Sequence, residues 1–278
     1  MSLEERTVRF DKELQVEAYR FKGIMQKFPN HFHEHYVIGF IESGNRRLSC
    51  KNKTYTIRPG DLLLFNPLDN HTCEQLDSQA LDYCCLNIES AIMQAAVKEI
   101  TGTTTLPQFR QTVTSGSKRV LYLKELHQAI MDGQANLYKE EFFLSLIEQL
   151  IADQKAPLLP PDYVSGLHLK TDKVCDYIHS HYPKHISLDT LSSIAQMNKY
   201  SLLRAFTKIK GITPYRYLET IRINEAKKLL EKGSAPLDSA LQTGFVDQSH
   251  FTNRFKESIG LTPGQYQSIF DKKSIHTI

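Results

Sequence analysis

No apolar run in this chain approaches the ~18 residues that a membrane-crossing helix needs. Its first residues are charged (Glu4, Glu5, Arg6), which is not the pattern of an export signal. These absences predict a protein without a membrane span that works in the cytoplasm. Cysteine is scarce: Cys50, Cys73, Cys84, Cys85 and Cys175 are an odd five with no CxxC spacing, which excludes a disulfide framework and predicts reduced thiols. Cys84 and Cys85 are adjacent in a strand-like run, so they point to opposite faces and do not form one site. A strong charge of one sign is also missing, because the net charge is only +3 over 278 residues. That charge is uneven, however. Residues 1–155 hold 18 Lys+Arg against 20 Asp+Glu, whereas residues 156–278 hold 16 against 11. The later part is the one suited to a polyanion.

What is present is a repeat. Ser187 to Leu218 recurs without a gap as Pro236 to Gln267, at an offset of 49 residues. Leu188, Asp189, Phe206, Gly211, Thr213, Pro214 and Tyr217 return as Leu237, Asp238, Phe255, Gly260, Thr262, Pro263 and Tyr266. In the first copy Leu188, Leu191 and Ile194 are spaced for the inner face of a short helix. Asn198, and Asp247 in the second copy, stand where an N-cap is wanted. The next helices bury Leu202, Phe206 and Ile209, or Phe251, Phe255 and Ile259, as a single apolar stripe. Gly211 and Gly260 suit left-handed C-terminal caps, and Thr-Pro then opens a new helix in each copy. Two short helices and a turn, occurring twice, predict a double helix-turn-helix that reads two places along double-stranded DNA.

The outward faces of the two second helices carry the chemistry. Lys199, Tyr200, Leu203, Arg204 and Lys208 lie on one, and Gln248, Ser249, His250, Thr252, Asn253 and Lys256 on the other. Arg204 suits guanine O6 and N7, Gln248 and Asn253 suit the adenine edge, and Leu203 suits a thymine methyl. Lys208, Arg254 and Lys256 suit phosphates, which fix register without reading sequence. From Thr213 to about Lys232 the pattern is one long helix, roughly 20 residues and about 30 Å. That is of the order of the ~34–36 Å between successive major-groove faces.

Residues 171–267 resemble the DNA-binding domain of AraC-type transcriptional regulators. The resemblance rests on GFVDQSHFTNRFKESIGLTPGQY (Gly244 to Tyr266) and on NKYSLLRAFTKIKGITPYRYLETIRINEAKKLL (Asn198 to Leu230). It implies seven helices, with the third and sixth inserted into DNA. Tyr200, Leu203, Arg204, Gln248, Ser249, His250, Thr252 and Asn253 match base-contacting positions. This chain departs from the family at Asn253, where many members carry arginine, and at Gln267, which is usually basic.

Residues 14–88 read as short strands, among them Tyr36–Ile41, Arg47–Cys50, Thr54–Ile57, Leu62–Phe65 and Leu81–Ile88, separated by Gly/Pro/Asn turns. This predicts a small barrel or jelly roll able to close around one small ligand. HFHEHYVIGFIESG (His31 to Gly44) and RPGDLLLFNPLDNHT (Arg58 to Thr72) resemble the cupin-like sensor domain carried by many AraC-type regulators. His31, His33 and His35 alternate, so on a strand all three face one side. Converging with His71, they would offer imidazoles of the kind that bind Zn, Fe or Ni. Metal-binding cupins usually add a glutamate four or five residues after the histidine pair, where this chain has Gly39 and Phe40, or Val37 and Ile38. The histidines therefore read as contacts to a small-molecule effector, together with Tyr36 and Tyr83, and no metal or cofactor is expected.

Residues 118–153 have a helical pattern in two stripes, interrupted at Asp132–Asn136. In AraC-type relatives such helices often make the dimer, so the resemblance implies a homodimer; covering the barrel is the other use. The expected organisation is a cupin-like ligand-sensing and dimerisation domain at 1–153, a Pro-containing linker at 154–170 and an all-α domain with two helix-turn-helix motifs at 171–278. The expected function is sequence-specific transcription regulation, as an activator controlled by a small-molecule ligand and working with RNA polymerase. A cupin dioxygenase or isomerase is disfavoured, because no acid/base constellation stands beside the histidines. A ligand-independent architectural DNA binder would leave the front domain without a task.

Overall fold

The computed structural model describes residues 4–133, 137–152 and 166–270. Contacts separate the described residues into two compact units, one holding those up to 152 except 29–31, the other holding 166–270 together with 29–31.

The first unit is built from two sheets. Strands β1 (Glu5–Asp11), β2 (Val16–Ile24), β9 (Leu81–Ile88), β4 (Tyr36–Ser43), β7 (Leu62–Phe65) and β10 (Val113–Thr114) form a six-stranded sheet in that order. Strands β3 (Phe28–His31), β8 (His71–Gln75), β5 (Arg46–Cys50) and β6 (Lys53–Ile57) form the second. Residues 29–31 are hydrogen-bonded into this second sheet through β3. Strand alternation sorts the six-stranded sheet into two faces. Val16, Ala18, Tyr36, Ile38, Phe40, Leu62, Leu64, Cys84, Leu86 and Ile88 point toward helices. These are α1 (Ser90–Thr101), α2 (Arg119–Asp132) and α3 (Leu137–Ala152), which contribute Met93, Ala96, Val97, Leu123, Leu126, Ile130, Leu146 and Ile147. The opposite face carries Tyr19, Phe21, Val37, Ile41, Tyr83 and Cys85 and meets the second sheet, as the Phe21–Phe28 and Phe65–His71 ring stacks show.

The strands expected from Tyr36 to Ile88 are present, with small changes at their ends. Strands β1, β2, β3, β8 and β10 were not among the named expectations. In β1 four of seven residues are charged (Glu5, Arg6, Arg9, Asp11), so no apolar alternation marks it. It exists as an edge partner of β2, paired residue for residue from Glu5↔Lys22 to Asp11↔Val16. A buried ion pair ties it to the helices: Lys139 Nζ on α3 lies 2.5 Å from Asp11 Oδ2 and 2.8 Å from Glu13 Oε2.

The second unit holds seven helices among its described residues: α4 (Gly166–His181), α5 (Leu188–Ala195), α6 (Lys199–Lys210), α7 (Pro214–Glu231), α8 (Pro236–Gln242), α9 (Gln248–Ile259) and α10 (Pro263–Ser268). Helix α4 starts inside the stretch 154–170 read as a linker; residues 153–165 lie outside the described part. The caps follow the sequence. Asn198 accepts from Ser201 N–H, Asp247 from His250 N–H, Thr213 from Arg216 N–H and Thr262 from Gln265 N–H. Gly211 and Gly260 close α6 and α9 in the left-handed region. The two copies differ at their first helices, because Ser187 caps α5 with its side chain whereas Ala235 gives α8 no such bond. Their turns differ too. Gln196 ends α5 in the left-handed region, but after α8 that conformation falls on Gly244 (φ +87°). A Cβ there would lie 2.5 Å from the Pro183 carbonyl oxygen, so this turn accepts only glycine.

Candidate nucleic-acid interface and histidine cluster

Helices α6 and α9 occupy equivalent places in the repeat. Each buries a phenylalanine at the centre of its apolar stripe, Phe206 or Phe255, and each packs on α7. Each therefore turns a polar face outward. Lys199, Arg204 and Lys208 are exposed on α6 and Leu203 is half-buried; the Tyr200 side chain lies outside the described part. Gln248, Ser249, Asn253 and Lys256 are exposed on α9, with His250 and Thr252 half-buried. Lys199 forms an exposed ion pair with Asp189 at 2.5 Å. Helix α7, at 18 residues, spans about 27 Å.

Arg254, read from the sequence as a phosphate contact, has acidic partners within the fold. Its Nη1 donates to Glu257 Oε2 at 2.8 Å, and its Nε lies 3.3 Å from Oε1 of Glu219 on α7. Glu219 is buried and receives Arg216 Nη1 on its other oxygen at 2.8 Å. His250 Nε2 stands 3.7 Å from Glu219 Oε1 and accepts from Arg254 Nε at 3.3 Å, so Arg254 bridges the histidine and the carboxylate. Burial opposes the charge on Arg254, and the neighbouring Glu257 and Glu219 outweigh it. The effect is a charged clamp between the connecting helix and the second exposed helix.

The histidines His31, His33 and His35 are divided by the backbone. Strand β3 ends at His31, and residues 32–35 turn before β4, so the expected continuous strand presenting all three on one side does not form. His31, His33 and His71 nevertheless converge, with one ring nitrogen from each lying within 4.8 Å of the others. His31 and His71 are buried and His33 is half-buried. His31 Nδ1 is 2.7 Å from the Pro29 carbonyl and His71 Nδ1 is 2.9 Å from the Asp69 carbonyl. Burial lowers the pKa of His31, with the Pro29 carbonyl partly opposing. His35 stacks on His33 with ring centroids 5.0 Å apart, and its Nδ1 lies 3.9 Å from Glu89 Oε1.

The two tyrosines expected to contact the effector are on opposite faces of the six-stranded sheet. Tyr36 lies among the residues under the helices; its hydroxyl donates to the Pro107 carbonyl at 2.9 Å, and burial, followed by Asp69, pushes its pKa up to about 12. Tyr83 pairs with Ile41, which belongs to the other alternation, and its ring covers Gly39. A Cβ on Gly39 would sit 2.4 Å from the Tyr83 hydroxyl. Burial, then Cys85, raises the Tyr83 phenol well above its ordinary range. Tyr36 therefore packs beneath the helices, while Tyr83 lies on the face turned to the second sheet.

Comparison with known proteins places this geometry. Residues 13–149 match the AraC-like ligand binding domain and residues 191–269 match a helix-turn-helix domain. The chain is 52% identical over 276 residues to the uncharacterized HTH-type transcriptional regulator YbfI of Bacillus subtilis (strain 168), covering 98% of this chain and 99% of that one. The chain belongs to the AraC family of transcriptional regulators. It carries a ligand-binding and a DNA-binding domain, and it is a regulator rather than an enzyme. It is also 23% identical over 249 residues to the HTH-type transcriptional activator RhaS of Klebsiella pneumoniae (strain 342), covering 85% and 86% of the two chains. In fold it is similar to ToxT of Vibrio cholerae bound to an unsaturated fatty acid, with a TM-score of 0.54, 17% identity and coverage of 94% and 97%.

In this AraC-family regulator the inner face also carries polar groups that the sequence reading missed. Glu17 is buried and accepts from the Tyr19 hydroxyl and from Asn87 Nδ2, both at 3.2 Å. Arg46 is buried in line with Leu48 and Cys50, and donates to the carbonyls of Ile24 at 2.5 Å and Gln79 at 3.2 Å. Only alternation along β2, β5 and β9 could have flagged them, and alternation does not say which face turns inward. No described helix is long and apolar enough to cross a membrane.

Proposed function

We propose that this regulator reads one DNA site with α6 and α9 and activates transcription when a small molecule binds the inner face of its sheet unit. One observation carries the reading: two helices with the same buried stripe turn polar, base-competent faces outward from a common connecting helix. Arg204 pairs with guanine, Gln248 and Asn253 with adenine, and Leu203 meets a thymine methyl. Ser249, His250 and Thr252 complete the second reading surface, and Lys199, Lys208 and Lys256 hold phosphates. Arg254 positions α9 through Glu219 instead of contacting phosphate directly.

The effector lies against Tyr83 and the Glu17–Tyr19–Asn87 group, and its binding shifts the population of DNA-competent arrangements. Activation, through RNA polymerase, is supported by the activator description of the RhaS relative. The protein acts in the cytoplasm as a homodimer joined through α2 and α3; Leu121 is 64% exposed on α2, an apolar side chain suited to a partner.

Selection of a duplex from a random library, followed by titration with wild type and Arg204→Ala, tests the reading. The variant loses ~1–3 kcal/mol on the selected site and discriminates less at one base pair. An equal loss on every sequence would make Arg204 a phosphate contact, and selection of no preferred sequence would overturn the proposal.

A further inference from the structure

We infer that His31, His33 and His71 form a binding site for a divalent transition-metal ion of the zinc class. The donor set suits this chemistry, because neutral imidazole is a ligand for Zn, Ni, Cu and Fe whereas hard oxygen-seeking cations prefer carboxylates. The cluster contains three histidines and no acidic residue.

Second-sphere contacts prepare the rings. A His31 Nδ1–H donated to the Pro29 carbonyl, and a His71 Nδ1–H donated to the Asp69 carbonyl, each make Nε2 the lone-pair nitrogen of its ring. This is how metal-ligating histidines are usually held: one nitrogen donates to a carbonyl, fixing tautomer and ring plane while the other binds the ion. The ring planes have further support. Phe65 stacks on His71 at 4.1 Å between centroids, and His35 stacks on His33 at 5.0 Å. The nearby Asp69 carboxylate is engaged by Lys51 at 2.7 Å and by Asn66, so it serves the turn rather than the ion.

The fit needs only small motions. With Zn–N near 2.0–2.1 Å, a tetrahedral site sets its nitrogens about 3.3–3.4 Å apart. The donors here lie within 4.8 Å of one another, so reaching that spacing takes shifts of at most about 1.5 Å between them, and His33 is the least buried of the three. Three neutral ligands leave the ion with its full double charge and an open position. An anionic group, such as an effector carboxylate, is the natural fourth ligand. The metal site goes beyond the ligand-sensing reading and is tested without DNA or effector, so its failure would leave that reading intact.

The test uses untagged full-length protein, stripped with chelator and titrated with Zn2+ by calorimetry, with metal content measured after dialysis. One ion per chain is expected, and Co2+ in its place should show the visible d–d bands of a four-coordinate nitrogen site. His33→Gln, the substitution at the least buried member, should weaken Zn2+ binding by more than about 100-fold while keeping the wild-type circular dichroism spectrum. His185→Gln, at an exposed histidine in the helical unit, should bind as wild type. No stoichiometric ion in wild type, or undiminished binding in a folded His33→Gln, would overturn the assignment. If His33→Gln fails to fold, His71→Asn with the Co2+ spectrum decides on the same terms.

Discussion

Arg254 and Lys256 lie two residues apart on α9, and both are basic, yet their surroundings differ. Lys256 is exposed, whereas Arg254 is held between Glu219 and Glu257. Salt dependence separates a charge that meets phosphate from one that meets the protein. Each phosphate contact contributes a slope of about −0.9 in log affinity against log salt. Between 50 and 200 mM salt, loss of one contact should shrink the wild-type-to-variant affinity ratio by 4 to the power 0.9, about 3.5-fold. Lys256→Ala should show that shrinkage. Arg254→Ala should instead weaken binding by a ratio that stays constant with salt, because the phosphate count is unchanged. The expected loss is about 1–2 kcal/mol, roughly 5- to 30-fold, at the low end for a charged hydrogen bond because Arg254 is 27% exposed. The assay is fluorescence anisotropy on one selected duplex at four salt concentrations. A 3.5-fold shrinkage for Arg254→Ala would refute the clamp and restore the phosphate contact.

Three further outcomes test the packing beneath the function. Lys139→Met strands the buried Asp11 carboxylate and should cost about 3–5 kcal/mol in urea unfolding followed by circular dichroism, whereas Lys27→Met, at an exposed pair of similar length, should cost at most about 1. His127 on α2 is buried against the Tyr19 carbonyl, and burial lowers its pKa from 6.5 to about 4. The unfolded chain then binds the extra proton between those values, so this contribution is complete above about pH 6.5 and is lost as pH falls through 4. It amounts to about 3 kcal/mol, and His127→Gln, which keeps a donor for that carbonyl, should flatten the stability profile across this window. Gly244→Ala should destabilise the helical unit by at least about 1–2 kcal/mol, read as a lower melting temperature, because it combines a left-handed backbone with the Pro183 contact.

The helical unit was legible because its determinants are local. Caps, glycine stops and apolar stripes lie within a few residues of each other, and the 49-residue repeat showed the same solution twice. The sequence by itself thus determined the two helix-turn-helix motifs, their outward faces and the family. It could not show that Arg254 turns inward, because Glu219 is 35 residues away and reaches Arg254 only once α7 packs on α9.

The sheet unit shows the opposite balance. Alternation found the apolar strands from Tyr36 to Ile88 but passed over the charged edge strand β1, which is specified by its pairing with β2 rather than by its own pattern. Alternation also says that Tyr36 and Ile41 face opposite ways without saying which way is in. The tertiary structure decided that, by laying helices over Tyr36 and the second sheet over Tyr83. It likewise broke the His31–His33–His35 run with a turn and brought His71 to two of the three. A side chain's face depends on what covers the sheet, and that cover comes from residues far along the chain.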